Sequence, residues 1–243
     1  MSLLLVAHGS ADPRAAETTR ALARAVRSRS GRPTRVSFLD HAGPRPDEVL
    51  WSLAAGGAAH VTVVPVLLTA AYHSRIDIPR ALDRAPAHLR VSLGDVLGPV
   101  DGAVPAPLLA ALVRRLAEAD VRPCDGIVLA AAGTRDRTAL STVDDVARAF
   151  GTHLGLPCRS AYASASAPTP GEAVAALRAD GARRVAVAAY FLAPGRLYEA
   201  AVASAVRAGA QVVAAPLGDA PELARLVLDR AAASARAVLP VAA

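Results

Sequence analysis

Apolar and polar positions come in blocks along this chain. The first block, in Leu3 to Ser10 (LLLVAHGS), is an unbroken apolar run that ends at His8-Gly9-Ser10. A short all-apolar run of this kind predicts a parallel strand buried on both faces. Asp12-Pro13 then supplies an N-cap and a proline for the first helical position, so a helix is expected from Pro13 to about Arg29, closed by Gly31-Arg32-Pro33. The alternation continues with a strand over Thr34–Leu39, a helix from Pro46 to Gly56-Gly57 and a strand over Val61–Leu68. A loop with a short helix follows over Ala70–Asp83, then a strand over Leu89–Leu93 and a helix over Ala106–Ala119. Strands alternating with helices predict βαβ crossovers and a parallel sheet.

The pattern then restarts. An ungapped offset of 124 residues carries Gly9 onto Gly133, Asp12 onto Asp136, Pro46 onto Pro170 and Glu48 onto Glu172. The same offset carries Gly57-Ala58 onto Gly181-Ala182, and Leu93-Gly94-Asp95 onto Leu217-Gly218-Asp219. Matches at caps and turns with one constant offset predict two copies of one unit. The expected fold is α/β: two tandem similar domains, each a four-stranded parallel sheet flanked by helices, with a cleft between them. The expected boundaries are 1–120 and 125–243, joined near Asp120–Asp125. One long sheet of eight strands is the alternative.

The repeat also sorts residues. Turn residues shared by both copies are scaffold, and residues present in one copy are candidates for chemistry. His8 maps to Ala132, His73 to Leu197, Asp40 to Ser164 and Asp77 to Ala201, so the polar set belongs to the first copy and one active site is expected. His8, Asp40 and His73 each follow a strand, and the carboxyl ends of strands are where open α/β sheets bind ligands. Two imidazoles and a carboxylate there suit a divalent metal ion, or a general base with an orienting acid. Among the other histidines, His41 is either a site-lining residue or a loop residue. His60 and His88 are expected to face solvent at the opposite sheet edge, and His153 to sit at a helix end. Ser10 reads as a helix-capping serine, and Trp51, near Leu50 and Leu53, as core.

Charge narrows the partner. The chain of 243 residues carries a formal charge of +6, and all 27 of its basic residues are arginine. One reading is a compositional habit of the genome. An acidic small molecule is the functional counterpart, because guanidinium groups bind carboxylates in bidentate fashion. Arg14, Arg75, Arg135 and Arg196 lie near strand-end loops and are the candidates for that contact. Scattered arginines without interleaved aromatics argue against nucleic acid. Cys124 and Cys158 form no CxxC pattern and fit a reducing cytoplasm, and the apolar runs are too short to cross a bilayer. A monomer is plausible, because one chain already contains both halves of the cleft.

HGS after the first strand, together with Pro65-Val-Leu-Leu-Thr-Ala-Ala-Tyr-His73-Ser-Arg-Ile-Asp77-Ile-Pro79 and the later Leu97-Gly98-Pro99, resembles the class II, ATP-independent tetrapyrrole chelatases. These are the sirohydrochlorin ferrochelatases and cobaltochelatases of siroheme and cobalamin synthesis. The resemblance covers essentially the whole chain. It implies insertion of Fe²⁺, Co²⁺ or Ni²⁺, as a substrate, into an acidic tetrapyrrole held between two similar domains. It also implies that His8 and His73 are the metal-binding and catalytic histidines, with Asp40 as a further metal candidate. Many members have glycine where Ala71 stands and a longer acid, usually glutamate, where Asp40 stands. Ser10, Arg14, Tyr72, Arg75, Arg135 and Arg196 are the candidates to hold the macrocycle, Tyr72 by packing on its face. No GxxxxGK[ST] phosphate loop is present, in keeping with a reaction that needs no nucleotide.

Two other readings use the same residues. A non-enzymatic metal or tetrapyrrole carrier would employ the histidines without turnover. A strand ending in His-Gly is also similar to the histidine phosphatases, but these begin Arg-His-Gly, and here Ala7 replaces the phosphate-clamping arginine.

Overall fold

The computed structural model describes residues 2–69, 76–120 and 123–237. In the first half, β1 (Ser2–Ala7), β2 (Thr34–Phe38), β3 (His60–Val66) and β4 (Arg90–Leu93) form a parallel sheet in the order β2-β1-β3-β4. Helices α1 (Pro13–Ser30), α2 (Pro46–Ala55), α3 (Ile78–Leu82) and α4 (Ala106–Ala119) connect these strands or follow them. In the second half, β5 (Gly126–Ala131), β6 (Cys158–Tyr162), β7 (Val185–Tyr190) and β8 (Val212–Val213) repeat the order as β6-β5-β7-β8, again all parallel. Its helices are α5 (Arg137–Leu154), α6 (Pro170–Ala179), α7 (Arg196–Arg207) and α8 (Pro221–Ala237). There are two separate sheets, so the single eight-stranded sheet is not adopted.

The local chemistry fixes the elements as their residues suggest. Asp12 caps α1, accepting from the Arg14 N–H, and Asp136 caps α5 in the same way. Gly31 and Gly155 end those helices in the left-handed conformation. The central strands β1 and β5 are almost wholly buried and read as continuous apolar runs. Among the described residues no helix is long and apolar enough to cross a membrane.

Two features go beyond the simple tandem picture. First, the terminal helices of the halves are exchanged: α8 packs on α1, α4, β3 and β4 of the first half, whereas α4 packs against β7, β8 and α5 of the second. One core cluster therefore draws on both halves, including Leu3, Leu5, Leu108, Leu129, Leu223 and Val227. Arg114 pairs with Glu222 at 2.6 Å, and Arg230 donates to the Gly98 carbonyl at 2.7 Å, fastening the exchange at its rim. Second, two side-chain expectations are corrected. Trp51 is 58% exposed and not core. It sits one residue past the buried Leu50, and a step of one residue turns a helical side chain by about 100°, off the face that Leu50 and Leu53 share. Its indole N–H instead donates to the Arg84 carbonyl at 3.1 Å. His60 is not simply solvent-facing either: it opens β3, is half-buried, and its Nε2 lies 2.7 Å from the Ser92 hydroxyl. His88 is exposed and His153 lies in the last turn of α5, as expected.

Candidate active site

In each sheet the chain reverses direction of growth between its first and third strands. The crevice beyond those strand ends is the switch point at which open α/β sheets place ligands. His8 stands immediately after β1, in that crevice, and its Nδ1 lies 3.1 Å from the Gly9 carbonyl oxygen. The turn is tight because Gly9 adopts φ +94°; a Cβ there would meet the Asp40 carbonyl oxygen at 1.8 Å. Only glycine lets the two strand-end loops approach so closely. The Asp40 N–H donates to the His8 carbonyl at 2.8 Å, so Asp40 is carried directly beside the histidine loop.

Around Asp40 the polar groups converge. His41 takes a left-handed backbone, φ +58°, donates its N–H to Asp40 Oδ1 at 2.8 Å, and holds its Nε2 3.5 Å from Oδ2. The His41 and His8 rings are 6.4 Å apart between centroids. Arg45 approaches the same carboxylate at 3.9 Å. The His41 N–H and ring, then Arg45 and His8, hold the Asp40 carboxyl below the usual carboxylate range, against some desolvation. Asp40 is therefore ionised at neutral pH.

Two cavities meet at His8. One, of about 290 Å³, lies between the two halves and is lined mainly by apolar and aromatic groups, among them Phe38, Leu68, Ala132, Tyr162 and Tyr190. The other, of about 530 Å³, is polar and lined by Asp40, Asp77, Arg45, Arg80 and Arg84. Among the described residues, His8 is the one side chain shared by both.

The remaining candidates are placed as follows. The Ser10 hydroxyl accepts the Asp12 N–H at 3.1 Å, a local capping contact. Arg14 pairs with Asp12 at 2.5 Å and with Glu199 of α7, so it bridges the two halves. Arg135 follows β5 and Arg196 opens α7, both exposed. Tyr72, His73 and Arg75 lie outside the described residues. Among the described residues no three histidine, cysteine, aspartate or glutamate groups form a metal cluster; His8 and Asp40 are the members of the expected set that can be located.

The second half adds residues that sequence reasoning did not single out. Tyr190, at the end of β7, is buried and donates its hydroxyl to the Leu68 carbonyl at 2.9 Å. It thereby ties the second sheet to the loop that leaves β3 toward His73. Burial pushes the Tyr190 phenol far above its ordinary pKa, so it stays a donor. Tyr162 lines the same cavity and donates to Asp144 at 3.1 Å. The signal was available: the repeat maps Tyr190 onto Val66 and Tyr162 onto Phe38, both differences between the copies.

The CbiX family model matches residues 2–119 and 126–234, one stretch in each half. The chain belongs to the CbiX family. Its fold is that of solved members of this group. SirB from Bacillus subtilis with Fe³⁺ superposes with a TM-score of 0.80 at 23% identity, covering 96% of this chain and 95% of that one. The sirohydrochlorin chelatase SirB from Bacillus subtilis subspecies spizizenii, in complex with cobalt, gives 0.78 at 21% identity over 98% and 96%. CbiX, the terminal enzyme for biosynthesis of siroheme in denitrifying bacteria, gives 0.68 at 20% identity over 98% and 100%. No curated protein sequence matches the chain. As a CbiX-family protein, the chain keeps both halves of the fold while holding His8 and Asp40 in the first alone.

Proposed function

We propose that the chain is a sirohydrochlorin chelatase, inserting Fe²⁺ or Co²⁺ into a polycarboxylate tetrapyrrole without ATP. Besides family membership, one observation supports this reading above others: His8 forms the wall common to an apolar interdomain cavity and a carboxylate-bearing groove. A flat macrocycle needs the first kind of surface, and a hydrated cation the second. A chelatase must bring the two together at one group.

Metal insertion requires loss of two pyrrole N–H protons and exchange of metal-bound water for ring nitrogen. An imidazole can coordinate a divalent ion or accept a proton near neutral pH. In the proposed sequence, Asp40 and His41 attract the metal substrate to the groove, and His8 presents it to the ring or takes a ring proton. His73, by the family resemblance, takes the other role. Arg14, Arg135 and Arg196, from both halves, meet the substrate carboxylates, while the apolar cavity holds the ring face. The first half thus carries the metal chemistry and the second completes the pocket. One chain builds the whole cleft, so a monomer suffices.

The test is anaerobic insertion of Fe²⁺ and Co²⁺ into sirohydrochlorin, followed in the visible spectrum. Loss of a group acting in proton transfer lowers the rate by roughly 10²–10⁴-fold, and His8→Ala and His73→Ala are each expected in that range. A rate no faster than the protein-free mixture, or unchanged rates in both variants, refutes the reading. Stoichiometric binding without multiple turnover would assign a carrier instead.

A further inference from the structure

We infer that a second anion-binding site lies outside the cleft, in the groove between α1, the edge strand β2 and the start of α2, and that it takes a small ligand bearing several carboxylates. The groove has a volume of about 420 Å³. Arg20, Arg24 and Arg27 project from α1 along one wall, and Arg35 comes from β2 on the other. Spacings of four and three residues put the helical arginines on one face. They extend over about 10 Å at the α-helical rise. Like charges at that spacing repel along a helix; Arg27, in the last turn of α1, also meets the favourable end of the helix dipole. Arg24 is paired with Glu17 at 2.7 Å, and Glu48 also lines the groove, its carboxylate accepting the Arg45 N–H at 2.9 Å, so four guanidinium groups of the lining stand against this one carboxylate. Among the described residues, Arg20, Arg27 and Arg35 have no ion pair; Arg20 lies instead over the Phe38 ring, 5.6 Å from its centroid.

The duplication supplies an internal control against the view that arginine is merely abundant here. The offset of 124 residues carries these four positions onto Asp144, Arg148, Gly151 and Arg159. In the second half Asp144 accepts the Ser160 and Tyr162 hydroxyls, at 2.5 and 3.1 Å, linking helix to edge strand across the groove. Both remaining arginines there are neutralised, Arg148 by Asp145 at 2.7 Å and Arg159 by Asp180 at 2.6 Å. One scaffold and one composition thus give a neutral, bridged groove in one half and an open, cationic one in the other. Guanidinium groups on two facing walls match a ligand with several separated carboxylates, which they can grip in bidentate fashion. This site is independent of the chelatase reading.

The test uses the full chain at low ionic strength, with benzene hexacarboxylate as probe and inorganic phosphate as a single-anion comparison. Amide shifts are expected at residues 20–27 and 34–36, equally in the His8→Ala variant, with phosphate binding at least tenfold more weakly. Arg20→Asp combined with Arg27→Ala, which moves the groove toward the second half's own pattern, is expected to weaken binding at least tenfold while the circular dichroism spectrum of the folded chain is retained. Arg35→Ala, on the opposite wall, gives a second measure should the double variant fold poorly. Shifts confined to the cleft, unchanged affinity in both variants, or equal affinity for phosphate would overturn the inference. Tighter binding of a hexaglutamate peptide would overturn the assignment to a small ligand.

Discussion

Gly9 and Gly133 offer a matched pair of perturbations. Both have positive φ, +94° and +89°, and a Cβ added to either would meet a carbonyl oxygen of the adjacent loop, Asp40 at 1.8 Å or Ser164 at 1.9 Å. Forcing an L-residue into a left-handed backbone costs roughly 1–2 kcal/mol. The overlap with backbone cannot be relieved by a side-chain rotation, so the loops must part by about an ångström. In the first half that strains the Leu39 N–H to Ala7 carbonyl bond at 3.0 Å and the Asp40 N–H to His8 carbonyl bond at 2.8 Å. The second half has the same two bonds, Ala163 to Ala131 and Ser164 to Ala132. At about 1 kcal/mol for each bond lost, either glycine-to-alanine change is expected to cost about 3 kcal/mol or more. For a chain of this size that is a fall of about 6–12 °C in melting temperature, read by calorimetry or circular dichroism. The two variants should differ in activity. Gly9→Ala moves His8, and a misplacement of about 1 Å at a reacting group can cost on the order of 100-fold, so kcat should fall. Gly133→Ala disturbs only the cavity lining, and its effect should fall on KM. Wild-type melting in either variant refutes the steric reasoning, and equal loss of kcat in both refutes the assignment of the chemistry to the first half.

Other expectations follow from single contacts. Glu199→Gln removes one of the two carboxylates paired with Arg14, leaving Asp12, so on the proposed reaction KM for the tetrapyrrole should fall while the melting temperature barely moves, because the ion pair is exposed; an unchanged or raised KM would argue that Arg14 does not meet the substrate. Tyr190→Phe removes a buried hydrogen bond to the Leu68 carbonyl and should cost about 1–3 kcal/mol in urea denaturation. It should also slow insertion through the loop beyond β3. Burial pushes the Cys158 thiol up to about 12, so at pH 8 it should resist alkylation in the folded protein and react in urea. Because the unfolded thiol loses its proton first, its contribution to stability should decline as pH rises from about 9 toward that value. On the proposed reaction, insertion rates should fall with added salt, since capture of a polyanion by exposed arginines would be screened; a flat salt profile would make those arginines incidental.

Much of the architecture was legible because it is written in local signals. The offset of 124 residues aligns β1 with β5 and α1 with α5 residue for residue, and even the left-handed backbone of His41 recurs at Ala165, φ +58° and +62°. These features rest on caps, turns and apolar runs, which a short window of sequence contains. The helix exchange was not legible, because an amphipathic pattern shows that α4 and α8 have a buried face but not which sheet covers it. The repeat does slip there: the offset would start the copy of α4 at residue 230, whereas α8 begins at Pro221. Trp51 was misplaced because its neighbours Leu50 and Leu53, and not Trp51 itself, carry the helical period. At the site, His8 and Asp40 were visible as polar residues at strand ends. Tyr190 showed only as a difference between the copies, standing where the first has Val66, and an aromatic at the end of a buried strand looks like core until its hydroxyl is found on a carbonyl of the other half.

The asymmetry of the two halves then has a physical reading. On the proposed reaction a macrocycle between two sheets touches strand ends from both, so both copies of the scaffold must persist, and the exchanged helices make each half depend on the other for its core. A metal ion needs only one approach. On the first side, His8 opens onto a groove with an ionised carboxylate at Asp40. On the second, the equivalent positions are Ala132 and Ser164, and Ala132 lines the apolar cavity. Small side chains there leave room for a ring face, and a second imidazole would cost cavity volume and bury a polar group without a partner. On the proposed reaction, the second copy does not merely lack ligands: its small apolar strand end forms the surface against which the first copy's histidine works.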